Sequence, residues 1–202
     1  AQQLSQSEVR GLLGRIRDQR VSTPDVQADF REEKSMRLMN KPIASTGHVW
    51  FESPNKFRRE VKGNSPSITV SDGKQLWIYY ANFKSAEHYS LGKHSPVDAA
   101  IAAINTALNL EDVENSFEVS GAKKNDGYEL RLLPKNSSMK RQFQEFDVQI
   151  NADLHVARTE MVQPNGDRVI TIYSNQSRAA IPPSIFQFTP PPGTEVTAPL
   201  GR

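Results

Sequence analysis

Val49-Trp50-Phe51-Glu52-Ser53-Pro54-Asn55-Lys56-Phe57, followed by Ile68-Thr69-Val70-Ser71-Asp72-Gly73-Lys74-Gln75-Leu76-Trp77-Ile78-Tyr79, sets runs of β-branched and aromatic residues against turn residues. Asp72-Gly73 between two such runs predicts a hairpin, because the central positions of the favoured tight turn need positive φ, which Asp and Gly tolerate. The block therefore predicts antiparallel sheet. Before it, Val26, Ala28 and Phe30 alternate with Gln27, Asp29 and Arg31 and predict a first strand. Nearer the N-terminus, Val9, Leu12, Leu13 and Ile16 fall at i, i+3, i+4 and i+7, the stripe of an amphipathic helix. Ser5 or Ser7 caps that helix, and Thr23-Pro24 ends it.

The same reading predicts strands at 43–52, 56–62, 67–71, 75–80, 85–91, 117–122, 128–133, 142–150, 156–162 and 168–175. Ser95-Pro96 opens a second helix, with Val97, Ile101, Ile104 and Leu108 at helical spacing. Asn125-Asp126-Gly127 and Pro164-Asn165-Gly166 mark further turns. About eleven strands, with a meander as the simplest topology, predict a strongly curved antiparallel sheet, because a wide sheet must curl to bury its apolar face. The two helices are its natural cover. Pro182-Pro183 and Pro190-Pro191-Pro192 cannot donate to a central ladder, so the C-terminal stretch reads as edge or loop.

Composition narrows function mainly by exclusion. The 202 residues suit one domain spanning 1–202, and 37% hydrophobic with 24% charged residues is a folding composition. A net charge of +2, with 25 basic residues dispersed among 23 acidic ones, leaves no footprint for nucleic acid. The absence of cysteine removes disulfides, thiolate catalysis and cysteine metal sites. His48, His88, His94 and His155 show no metal-ligand spacing, and no nucleophile elbow, phosphate loop or dinucleotide fingerprint occurs. The expectation is a non-enzyme with no metal, no cofactor and no membrane-spanning segment. Ala1-Gln2-Gln3-Leu4 reads as the start of a processed mature chain. Trp50, Trp77 and Tyr79 read as sheet-packing aromatics before base-stacking ones. A hollow interior for acyl chains and a fully packed core predict the same alternation.

Pro54-x-x-Phe57, the Val70-Ser71-Asp72-Gly73 block with Leu76-Trp77-Ile78-Tyr79, and the ending Phe186-Gln187-Phe188-Thr189-Pro190-Pro191-Pro192-Gly193 resemble the LolA family of periplasmic lipoprotein carriers. The element order resembles that family over most of the chain. The resemblance implies an incomplete, unclosed antiparallel β-barrel with a helical lid. It also implies a monomeric periplasmic carrier that shields the acyl chains of lipoproteins. Such a carrier receives cargo from an inner-membrane ABC-type release complex and passes it to an outer-membrane acceptor. The acceptor of that system carries an N-terminal cysteine, so a cysteine-free chain fits the soluble carrier.

Matching the segment before Pro54 turns Gly47, Val49, Phe51 and Ser53 inwards, and Phe57 follows from the same motif. Polarity adds Ile68, Val70, Leu76 and Ile78 to the expected acyl cavity. Leu12, Leu13, Ile16, Ile101, Ile104 and Leu108 supply the apolar underside of the lid. One departure stands out: where well-studied carriers have an arginine before the proline, this chain has Ser53, and Arg58-Arg59 follow Phe57. A serine lacks the forked donor set of an arginine, so the family's arginine latch does not carry over. The rival reading is a sensor or regulatory module of the same fold that binds a protein partner or another envelope lipid.

Overall fold

Ser5 caps helix α1 (Gln6–Ser22) in the computed structural model, which describes residues 1–92, 110 and 112–199. The Ser5 hydroxyl accepts from the Glu8 amide at 3.2 Å, and the Glu8 carboxylate accepts from the Ser5 amide at 2.7 Å. The reciprocal pair satisfies two amides that no helical carbonyl can reach. At the other end the Thr23 hydroxyl donates to the Gln19 carbonyl at 2.8 Å, and Pro24 stops the helix. Val9, Leu12, Leu13 and Ile16 are all buried, each worth about 1.5–3 kcal/mol against exposure.

Period-two alternation takes over at Asp25. Strands β2 (Asp25–Ser35), β3 (Ile43–Glu52), β4 (Lys56–Lys62), β5 (Ser67–Ser71), β6 (Gln75–Tyr80) and β7 (Ser85–Ser90) form one antiparallel meander. Strands β8 (Phe117–Lys124), β9 (Gly127–Pro134), β10 (Glu145–Ile150), β11 (Val156–Val162) and β12 (Arg168–Ser177) form a second. β12 pairs with β2 and joins both into one sheet. Two short strands add the edges: β1 (Gln2–Gln3) beside β8, and β13 (Glu195–Thr197) parallel to β7. The two ends of the strand order do not pair, so the fold is mainly β and the barrel stays unclosed. A single meander is not what forms. After edge strand β1 and helix α1, the chain crosses to the centre of the sheet at β2, runs to one side at β7, and comes back to the centre from β8 to β12.

Two local expectations are corrected. The strand expected over 142–150 starts only at Glu145, as β10, because Gln142 is the last residue of a short helix, α2 (Ser137–Gln142). Asn136 nucleates α2 by accepting the Met139 amide at 2.8 Å, a capping signal too local to show as periodicity. In the β5–β6 turn only Gly73 takes positive φ, at 90°. Asp72 instead opens the turn, its Oδ1 accepting the Lys74 and Gln75 amides at 2.8 Å each.

Register assigns the faces. Phe117 and Val119 on β8, Leu130 and Leu132 on β9, and Phe146 and Val148 on β10 share one side with the underside of α1. The same face continues through Thr159, Thr171 and Tyr173 to Val26, Ala28 and Phe30, then to Val49, Phe51 and Phe57. This inner face carries two buried clusters. One joins α1 to β8–β11, and the other lies on β2, β3, β4 and β6. Tyr173 packs against both.

Candidate functional site

The cluster on β2, β3, β4 and β6 forms an apolar wall. Val49, Phe51, Phe57 and Leu76 join Val26, Ala28 and Phe30 in it, and Ile78 packs against its margin. Phe51 and Phe57 are fully buried and face each other across the β3–β4 pair. Gly47 is required beside them. A Cβ there would collide with the Glu60 carbonyl oxygen and the Phe30 ring, so only glycine lets that ring lie flat on β3.

Not every residue expected in this wall stands in it. Leu12, Leu13 and Ile16 belong to the other cluster, where α1 covers β8–β11. Ile101, Ile104 and Leu108, with the helix expected around them, lie outside the described residues. Ser53 sits in the β3–β4 turn, where its amide donates to the Pro24 carbonyl at 3.0 Å. Ile68 and Val70 are corrections. Ile68 pairs with Glu60 and Tyr79, and Val70 with Arg58 and Trp77, which puts both on the outer face. The inward residues of β5 are Ser67, Thr69 and Ser71. Val70 is nonetheless buried, and Ile68 lines an outer recess of about 210 Å³ with Tyr79 and Lys62.

The outer face here is apolar because the C-terminal segment lies on it. Arg58 donates to the Ile185 carbonyl at 3.3 Å, and Phe186 is buried. The Phe188 ring packs 5.8 Å from Trp77 and 5.7 Å from Tyr79, and β13 then seals the edge of β7. Trp77 also stacks on His88 at 4.2 Å, so these aromatics are engaged in sheet packing.

The wall contains polar groups that were not singled out from sequence. Arg59 shares the face of Phe57, Val61 and Val49, and its guanidinium lies 4.4 Å from the Phe30 ring centre. It pairs with Glu32 at 2.6 Å, and Thr171 donates to the same carboxylate oxygen at 3.4 Å. Beside them burial pushes the Tyr173 hydroxyl up to about 12. On β7 the Tyr89 hydroxyl donates to Glu87 at 2.6 Å, and burial lifts it likewise to about 12. The signal for Arg59 was present in the alternation from Phe57: the third residue of Phe57-Arg58-Arg59 must share its face.

Where the two clusters meet, Val26, Gln27, Ala28, Val49, Val156, Tyr173 and Gln176 line a cavity of about 10 Å³, room for one water. Sites for small organic ligands run from ~300 Å³ upward, so this part of the wall is closed. Among the described residues no cluster of His, Asp or Glu is arranged to hold a metal ion, and no helix is long and apolar enough to cross a membrane.

A family model described as outer membrane lipoprotein carrier protein LolA matches residues 22–189. The chain belongs to the LolA family. Among LolA-family relatives, an outer-membrane lipoprotein carrier protein of Bordetella pertussis is 31% identical over 156 residues, covering 76% of this chain and 70% of the relative. The protein of the same name from Salmonella paratyphi B is 28% identical over 150 residues, covering 74% and 70%. Among solved structures, an uncharacterized conserved protein of Thermus thermophilus superposes with a TM-score of 0.58 at 13% identity, covering 95% of this chain and 99% of that one. MucB superposes with a TM-score of 0.50 at 12% identity, covering 92% of this chain and 64% of MucB. At such identities the two structures speak to the LolA-like fold alone.

Proposed function

We propose that this LolA-family chain is a periplasmic carrier, acting as one domain and one monomer, that shields the acyl chains of lipoproteins against its inner wall. The observation that carries the reading is the buried apolar cluster of Val26, Ala28, Val49, Phe51, Phe57 and Leu76, built on a sheet that does not close. Three acyl chains expose many methylenes, each worth ~0.8 kcal/mol when buried, so a carrier must offer a wall of this kind. At its Tyr173 margin the wall is closed, and loading there needs it to open. Opening and release are then driven by the donor and acceptor, in the proposed scheme an inner-membrane ABC-type release complex and an outer-membrane acceptor. Arg59, paired with Glu32 over Phe30, gives the wall a polar step against which the amide end of an acylated cysteine could hydrogen-bond. No catalytic step is involved.

The test places a diazirine-bearing phenylalanine at Phe51 and identifies what it captures in the periplasm. Acylated lipoproteins, lost when acylation of the cargo is blocked, support the carrier. Capture of one unacylated protein, unchanged by that block, replaces the carrier with the regulatory reading.

A further inference from the structure

Leu38 is 98% exposed, at the tip of the β2–β3 hairpin, and Met39 and Ile43 beside it are 48% and 49% exposed. Single apolar residues at a surface need no explanation, but three on one hairpin do. The same stretch carries Lys34, Arg37 and Lys41, with no acidic residue from 34 to 43. Lys34 faces Ile43 across the last pair of the β2–β3 ladder, so cation and apolar side chain stand together. The tip is held in place. The Arg37 amide donates to Asp167 at 3.0 Å, its guanidinium donates to the Asn165 carbonyl at 3.2 Å, and the Met39 amide donates to the Met36 carbonyl at 3.0 Å. These bonds tie it to the β11–β12 turn and leave Leu38 pointing at solvent.

An apolar tip ringed by cations matches one surface in charge and polarity: a bilayer with anionic headgroups, where leucine and methionine enter the acyl boundary and lysines meet phosphates. We propose that the β2–β3 hairpin docks the chain on an anionic lipid surface through Leu38 and Met39, with Lys34, Arg37 and Lys41 on the headgroups. Ile43, Ser45, Gly47 and Val49 follow one another on the inward side of β3, so docking sets one end of the inner wall against the bilayer. The inference does not depend on what the wall binds.

The experiment is flotation of the full chain with phosphatidylethanolamine vesicles, with and without phosphatidylglycerol. The chain floats with the phosphatidylglycerol vesicles, and raising the salt weakens this as screening shortens. Lys41→Glu lowers the partition about tenfold and Leu38→Glu abolishes it. Both variants keep the wild-type melting temperature, because neither side chain is packed. The chain is assayed without cargo, so a failed capture at Phe51 leaves this result standing, and the reverse holds too. Equal flotation with neutral vesicles, or Leu38→Glu floating like the wild type, overturns the proposal. So does a Leu38-dependent protein partner found together with no vesicle binding.

Discussion

Asp147 shows what one side chain costs this sheet. It stands on the outer face of β10, opposite Arg131 on β9 and Glu160 on β11, with Glu145 two residues before it. Arg131 spends its Nε on Glu145 at 2.6 Å and reaches Asp147 only at 3.9 Å. Burial first, and then Glu145, lift the Asp147 carboxyl from 3.8 to about 7. A carboxyl whose folded pKa is raised binds its proton more tightly in the folded chain. Its contribution is therefore whole below about pH 3.8 and is lost as pH rises through about 7. Asp147→Asn, neutral at every pH, should melt higher than the wild type at pH 8, and the gap should shrink steadily towards pH 4. Thermal melts across that range check it, and a gap independent of pH would place the stabilisation elsewhere.

At the scale of elements, the C-terminal segment decides which side of β5 is apolar. Phe186 is fully packed, so Phe186→Ala should cost about 3 kcal/mol or more, whereas Phe188→Ala, at a half-buried stack, should cost about 1 kcal/mol. The second change should also red-shift tryptophan emission by uncovering Trp77, whose ring Phe188 shields. Equal losses with no spectral change would mean that the segment merely trails across the sheet. The same element explains what was legible in the sequence. Strands from 26 to 175 could be read because alternation is local, the inward side of β3 followed from the family motif, and polarity picked Leu76 and Ile78 on β6. Ile68 and Val70 could not be placed from polarity, since the residues that cover them arrive more than a hundred positions later. Register, not hydrophobicity, settles such a strand. Helix α2 escaped because a single buried residue, Met139, makes no period. For Phe51 the converse holds: its partners on both neighbouring strands, Val26 and Phe57, are apolar too.

For the molecule as a whole, the division of the inner face into two clusters bears on how a carrier could load. Helix α1 is committed to β8–β11, so the wall on β2, β3, β4 and β6 is not under it, and Tyr173 at the β12–β2 seam is the shared margin. The cavity at that margin is about 10 Å³, far below any acyl chain, so lipid that enters at this margin displaces packed side chains rather than filling a void. A ligand that binds only the folded chain raises its stability by RT ln(1 + [L]/Kd), about 2.7 kcal/mol at a hundredfold excess over Kd. For a chain of this size that corresponds to a rise of about 5–10 °C in Tm. A diacylated peptide should give such a rise, and the same peptide without acyl chains should give none. Because opening must precede entry, the association rate should level off as the acylated peptide is increased. A rate that climbs linearly would mean that the wall is already open in solution, and an unmoved Tm would remove the carrier reading itself.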